Sequence, residues 1–151
     1  IVRLSEFLDL PLSWPVPDPV VQEAKAGLIA AEQPYIHRLT RMGVLACEQG
    51  DNAGWAFLDE VSRLIWSGTP WNEGDVLADA VARAGFDLAE LDSRQDSEAE
   101  RLSAVIECNQ AAHSAYHWGV PVMVFREEAF FGQDRIDLLE WRVNSALAAV
   151  N

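Results

Sequence analysis

The residues with most to offer chemically lie together near the end of the chain. They are Trp118–Gly–Val–Pro–Val–Met–Val–Phe125, then Glu128–Ala–Phe–Phe–Gly–Gln–Asp–Arg135, followed by an apolar helix. A proline entering a strand has no N–H to give to a ladder. A Val120–Pro121 step at that point therefore exposes the N–H and C=O of Val120 instead of hiding them in a sheet. A helix opened by Gly132 and starting at Gln133–Asp134 leaves unpaired N–H groups and the positive end of a dipole, which suit a carboxylate. Together these features could hold a small peptide-like ligand. Plainer readings stand beside them. An X-Pro bond is ordinarily trans, and an Asp such as Asp134 near a helix start is commonly a cap.

His113 and His117 are four residues apart, a helical spacing that can chelate a metal. No third ligand accompanies them, since Glu107 lies off that face and Cys108 is more than a turn away. A packed or hydrogen-bonded histidine pair is expected, and no metal. His117 and Trp118 adjoin the Val-Pro loop and could line a pocket, where Trp118 could stack on an aromatic substrate. Cys47 and Cys108 are far apart and neither forms a Cys-x-x-Cys motif, so two reduced, partly buried thiols are expected.

The elements that must position these groups read as many helices followed by strand–strand–helix. Pro11, Pro15, Pro17 and Pro19 make 11–19 extended. A helix is predicted from Val20 to about Ala31. Another restarts at Gln33–Pro34, turning Ile36, Leu39, Val44 and Leu45 inward and ending near Gly50. Asn52 is the expected cap of the next, with Trp55, Leu58, Ser62, Ile65 and Trp66 at helical spacing. Residues 73–84 repeat the pattern through Val76, Leu77, Ala80, Val81 and Ala84, with Gly85–Phe86 as a left-handed end. Asp87-x-x-Glu90 and Ser97-x-x-Glu100 both read as capping boxes, the second opening a helix to about His117. Val120–Phe125 and Ala129–Phe131 are predicted strands, with Arg126–Glu127–Glu128 as the turn. Ile136, Leu138, Leu139, Val143, Leu147 and Val150 make the closing helix amphipathic. The remaining tryptophans are assigned to the core, and Asp18 to a turn.

With 151 residues, half of them hydrophobic, the chain can bury a real core and reads as one compact unit. Its net charge of −13 argues against nucleic acid, whose phosphates would repel it. No apolar run approaches the roughly 18 residues needed to span a bilayer. No membrane partner is expected, and a cytoplasmic location is. Ile1–Val–Arg–Leu–Ser–Glu–Phe–Leu8 reads as the middle of a helix without a cap, so a further N-terminal portion is expected.

The pair of motifs His117–Trp–Gly–Val–Pro121 and Phe131–Gly–Gln–Asp–Arg135 resembles the end of a thioredoxin fold in the DsbA-like superfamily. The likeness runs upstream through Leu12–Ser–Trp–Pro–Val–Pro–Asp–Pro19, Gln33–Pro–Tyr–Ile36 and Val61–Ser–Arg–Leu–Ile–Trp66, and so covers nearly the whole chain. Within that superfamily the chain is most similar to 2-hydroxychromene-2-carboxylate isomerases and their kappa-class glutathione transferase relatives. The resemblance implies an α/β fold, mostly helical in this chain. Residues 1–117 would be the DsbA-like helical region and 118–151 the C-terminal strand–strand–helix, with the first strand–helix–strand absent.

The resemblance also implies that Val120–Pro121 is cis and that glutathione is the cofactor. Val120 and Pro121 would face its peptide, and Gln133, Asp134 and Arg135 its γ-glutamyl end. In the kappa-class relatives a small hydroxyl residue stands where this chain has Gln133. Asp134 would take the ammonium and the helix N–H groups the carboxylate. His117 and Trp118 would meet a small aromatic or conjugated substrate. The implied activity is a glutathione-dependent isomerisation: the thiolate adds to the conjugated substrate, a bond rotates, and the thiol leaves. The group that keeps the thiolate ionised is, in the relatives, a serine after the first strand. No residue here takes that role, and the chain as it stands is expected to be inactive. Relatives are often dimers, and the acidic surface does not forbid a homodimer. A DsbA-like thiol–disulfide oxidoreductase is the competing reading, distinguished by paired cysteines upstream of Ile1. A non-enzymatic helical interaction module is a third, and it predicts no glutathione affinity.

Overall fold

Prolines keep residues 11–19 out of helix, and the segment is tied down instead by three cross-links. The Ser13 N–H donates to the Trp66 carbonyl (2.8 Å), Val16 bridges Pro70, and the Trp71 indole N–H donates to the Pro17 carbonyl (2.7 Å). A computed structural model describes residues 2–23 and 28–149. They fall into two compact units, one up to Ala104 and one from Val105.

The first unit holds α1 (Val2–Phe7), a small antiparallel pair β1 (Gln22–Glu23) and β2 (Leu28–Ile29), and four helices. These are α2 (Ile36–Cys47), α3 (Asp51–Ile65), α4 (Val76–Arg83) and α5 (Leu88–Ser97). The division falls within α6 (Ala99–Ser114). Its core joins Leu39, Met42, Leu45 and Ala46 of α2 to Phe57, Val61 and Ile65 of α3, with Trp71, Leu77, Val81, Leu91 and Leu102. Arg38 forks onto Asp92 with two 2.6 Å hydrogen bonds, fastening α2 to α5. Arg101 reaches Glu48 (2.5 Å) and also pairs with Glu98. Hydrogen bonds from that guanidinium hold both carboxyl groups below the usual range.

Several expectations hold. Gly85 is left-handed, at φ 89°, and the Phe86 N–H returns to the Val81 carbonyl (3.0 Å), closing α4. Asp87 caps α5 by accepting from the Glu90 N–H (2.8 Å), and Asp18 makes its turn by accepting from the Val20 N–H (2.9 Å).

Others are corrected. Where a helix was predicted from Val20 to Ala31, Gln22–Glu23 and Leu28–Ile29 pair as antiparallel strands, and residues 24–27 of that prediction lie outside the described residues. The Gln33 amide is the cause: it accepts from the Val21 N–H (2.9 Å) and donates to the carbonyls of Val21 and Ala30 (2.8 Å each). Such side-chain bonds compete with a helix for the backbone. Asn52 is inside α3, whose cap is Gly50. The inward face of α3 is Gly54, Phe57, Val61 and Ile65, so Ile65 is buried as expected and Trp66 packs against the core, whereas Trp55 is 71% exposed and Leu58 is exposed too. Ser97 opens no helix; its hydroxyl donates to the Arg94 carbonyl within α5. Both cysteines are free and exposed.

Gly54 sets how closely α2 and α3 approach. A Cβ there would lie 2.7 Å from the Cys47 sulfur and 3.1 Å from its Cα. Gly54→Ala should therefore destabilise this unit by about 1–3 kcal/mol. At Gly43 a Cβ would meet nothing nearer than 3.9 Å. Gly43→Ala should be neutral or stabilise by up to about 1 kcal/mol, because Ala suits a helix interior better. Urea unfolding of the two variants checks the contrast.

The second unit comprises the last turns of α6, the hairpin β3 (Val122–Phe125) and β4 (Glu128–Phe131), a 3₁₀ turn at Gln133–Arg135, and α7 (Ile136–Ala148). The strands are antiparallel, pairing Val122 with Phe131 and Phe125 with Glu128. Arg126 and Glu127 alone make the turn, with φ of 49° and 67°, the two-residue geometry that matches strand twist. Glu128, predicted in the turn, is instead in β4, where it pairs with Arg142 of α7 (2.5 Å). That partner holds its carboxyl below the usual range. Strand alternation buries Phe130 and turns Phe131 outward. Of the stripe predicted on α7, Leu139 and Val143 are half-buried while Ile136, Leu138 and Leu147 are exposed; Val150 lies outside the described residues. No described helix is long and apolar enough to cross a membrane.

Candidate functional site

The α-helix of α6 ends at Ser114, before the predicted His117. Its last turn is closed by the His117 N–H, which donates to the His113 carbonyl (3.1 Å). The chain then reverses through Trp118 and Gly119, and the two histidines hold that reversal. The Gly119 N–H donates to His117 Nδ1 (2.9 Å), and the Gly119 carbonyl lies 2.7 Å from His113 Nε2. The hydrogen-bonded pair expected from the sequence is thus present, with one glycine between the two rings. Among the described residues no three His, Cys, Asp or Glu side chains group as metal ligands.

The Val120–Pro121 bond is cis, as the resemblance implied; a second cis bond, Val16–Pro17, was not expected. Val120 is 78% exposed, and among the described residues neither of its main-chain polar groups has a partner. Pro121 is engaged, its carbonyl accepting from the Gly132 N–H (3.0 Å) and so extending the β3–β4 ladder by one rung.

Gly132, at φ 97°, carries the chain from β4 into the 3₁₀ turn, a conformation that favours glycine. It also brings Asp134 close: a Cβ on Gly132 would fall 2.5 Å from Asp134 Oδ1. Asp134 makes no capping bond, so the plainer reading of that residue is not realised. Its exposed carboxylate lies 3.7 Å from Arg135 Nε. The N–H groups of Gln133 and Asp134 have no protein acceptor among the described residues, whereas the Arg135 N–H returns to the Gly132 carbonyl (3.1 Å). One short corner thus presents main-chain donors and acceptors, an open carboxylate and a guanidinium.

An aromatic wall stands beside it. His117 stacks on Phe131 (3.8 Å between centroids, 16° between planes) and on Trp118 (5.3 Å, 27°), and Trp118 is 87% exposed. The Phe131 ring also covers Gly119, where a Cβ would come within 2.6 Å of it. All seven residues expected at the site (His117, Trp118, Val120, Pro121, Gln133, Asp134 and Arg135) lie in this unit. They are joined through three contacts: Gly119 to Phe131, Pro121 to Gly132, and Gly132 to Asp134. Phe131 and Gly119 were not singled out from the sequence. The period of two along β4 carried a signal for Phe131, since only one of two adjacent phenylalanines can face the core.

Comparison with known proteins bears on the family and the fold. The model of the DSBA-like thioredoxin domain matches residues 2–144. A solved structure of a 2-hydroxychromene-2-carboxylate isomerase superposes over 99% of this chain with a TM-score of 0.57 and 19% identity. The chain spans 66% of that isomerase's length, and at such identity the likeness shows the fold alone. A search of curated proteins finds no match. With the family model covering nearly every residue, and a mostly helical, DsbA-like thioredoxin fold to go with it, the chain belongs to the DSBA-like thioredoxin domain family.

Proposed function

We propose that the protein is a glutathione-dependent isomerase of the 2-hydroxychromene-2-carboxylate isomerase type, acting on small aromatic or conjugated substrates. The observation that carries this reading is the corner just described, where Val120 offers an unpaired N–H and C=O, and the next residue, Pro121, is bonded to Gly132 at the start of the turn that carries the open Asp134 carboxylate. A γ-glutamyl peptide needs those groups. Its backbone pairs with Val120 as an added strand would, its ammonium meets Asp134, and its carboxylate meets the free N–H groups of Gln133 and Asp134. Arg135 lies beside the Asp134 carboxylate and offsets the charge that it brings. Gln133 is longer than the hydroxyl residue of the kappa-class relatives and keeps the hydrogen-bonding capacity.

The exposed indole of Trp118, held by the His117 ring, supplies a face for a planar substrate next to the thiol. In the reaction the glutathione thiolate adds to the conjugated system, the former double bond rotates, and elimination restores the thiolate with no net redox change. We assign none of the described residues to ionising the thiol.

Titration calorimetry of the full-length protein with glutathione tests the reading. Saturable binding is expected, weakened in Asp134→Ala by roughly 10- to 150-fold, the loss of one charge-assisted hydrogen bond worth about 1.5–3 kcal/mol. Absence of heat, or an Asp134→Ala variant that binds as the parent does, would remove the γ-glutamyl assignment.

A further inference from the structure

We infer that His113 and His117 are positioning residues that present Val120 to its ligand, and that protonation of His117 releases this arrangement. The inference rests on the glutathione reading for its consequence, though not for its geometry. Gly119 has one donor and one acceptor on its main chain, and a histidine ring nitrogen holds each. Pro121, on the other side of Val120, is held through its carbonyl by Gly132. Val120 is therefore left unbonded between two fixed neighbours, its polar groups fixed in direction and unspent.

The hydrogen positions follow from complementarity. An amide N–H can only donate, so His117 Nδ1 must be a bare lone pair and the ring proton must sit on Nε2. A carbonyl can only accept, so His113 Nε2 must carry a proton. The two rings then respond oppositely to acid. A protonated His113 still donates to Gly119. A protonated His117 places an N–H against the Gly119 N–H, donor facing donor, and that contact must open.

The rings facing His117 are Trp118 and Phe131. The nearest titratable and charged groups in sequence on the elements around it are Glu107, Cys108 and His113 of α6, Tyr116, Glu128 of β4 with its partner Arg142, and Asp134 with Arg135 on the turn. The closed arrangement requires neutral His117, so it is present on the alkaline side of that group's titration and lost as pH falls through it.

Two readouts separate this inference from the one beneath it. The first needs no ligand: the Gly119 amide of the ¹⁵N-labelled full-length protein is followed from about pH 8 to about pH 5.5, beside the ring protons of both histidines. The Gly119 amide should shift with His117 and not with His113. In His117→Asn, where the amide oxygen replaces Nδ1 as acceptor without titrating, that shift should vanish. The second readout is affinity for S-methylglutathione at the same two pH values, a range in which its carboxylates and ammonium keep their charge and it has no thiol to ionise. The parent should bind about tenfold more weakly at the lower pH. The ratio should fall to about one in His117→Asn, whatever that variant's absolute affinity, and keep the parental value in His113→Gln, which retains a donor. A Gly119 amide indifferent to His117, or a parental pH ratio in His117→Asn, would overturn the inference. A Gly119 amide that follows His117 while neither S-methylglutathione nor glutathione binds at either pH would uphold the histidine arrangement and discard the glutathione reading.

Discussion

Trp71→Ala should cost the helical unit about 3–5 kcal/mol, within the range for deleting a large buried aromatic. The side chain is 1% exposed, meets Tyr35 edge-on (5.4 Å, 81°), and sits in the core shared by α2, α3 and α4. It also fastens the proline segment, because its indole N–H is the donor to the Pro17 carbonyl. A domain of ordinary stability has about 5–15 kcal/mol to lose, so the variant should be partly unfolded at room temperature in low urea. Trp71→Phe separates the two contributions. It keeps much of the ring but leaves the Pro17 carbonyl without its donor, for a cost of about 1–3 kcal/mol. Trp55→Ala is the contrast: that ring is exposed, and its loss should change stability by no more than about 0.5 kcal/mol. Urea titrations followed by far-ultraviolet circular dichroism rank the three. Equal losses for Trp71→Ala and Trp55→Ala would mean that the core is wrongly drawn.

The second large effect is expected at Gly119. Its Cα lies under the Phe131 ring, with His117 Nδ1 close by, so Gly119→Ala places a methyl within 2.6 Å of Phe131 Cε2 and 3.3 Å of the imidazole. The ring is stacked on His117 and cannot yield without leaving it. Either Phe131 swings out or the Gly119 main chain withdraws from its two histidine partners. Overpacking of this kind costs about 1–3 kcal/mol, and either outcome alters the approach to Val120. In the variant, ring-current shifts of the His117 protons should collapse and glutathione binding should be lost. Intact ring shifts would show that the loop absorbs the methyl and that its close packing is not required.

What could be read from the residues alone divides along physical lines. Signals carried by a single local interaction survived: the Gly85 end of α4, the Asp87 cap of α5, the proline segment and the strand–strand–helix order. Readings failed where a distant side chain or a neighbouring helix decided the outcome. Gln33 captures the backbone of Val21 and Ala30, which no periodicity in 20–31 could reveal. The inward face of α3 begins at Gly54, which approaches Cys47 of α2, so Trp55 and Leu58 of the expected stripe lie exposed while Ile65 at its end is buried as expected.

At the candidate site the expected residues did assemble, because they are close in sequence and joined by one hairpin. The cis bond before Pro121 was legible only through family resemblance. Asp134 was an open choice between cap and ligand group, and the absence of a capping bond leaves its carboxylate available. The way Gly119 is shared between His113 and His117 needed coordinates, since helical spacing alone does not show that both rings turn onto one glycine.

Amide-resolved titration of the full-length protein with glutathione bears on the heart of this account. Saturable shifts are predicted at the amides of Val120, Gln133 and Asp134, with one dissociation constant for all three and none at Gly43 in α2. A titration in which Val120 stays still, whether glutathione binds elsewhere or not at all, would contradict it.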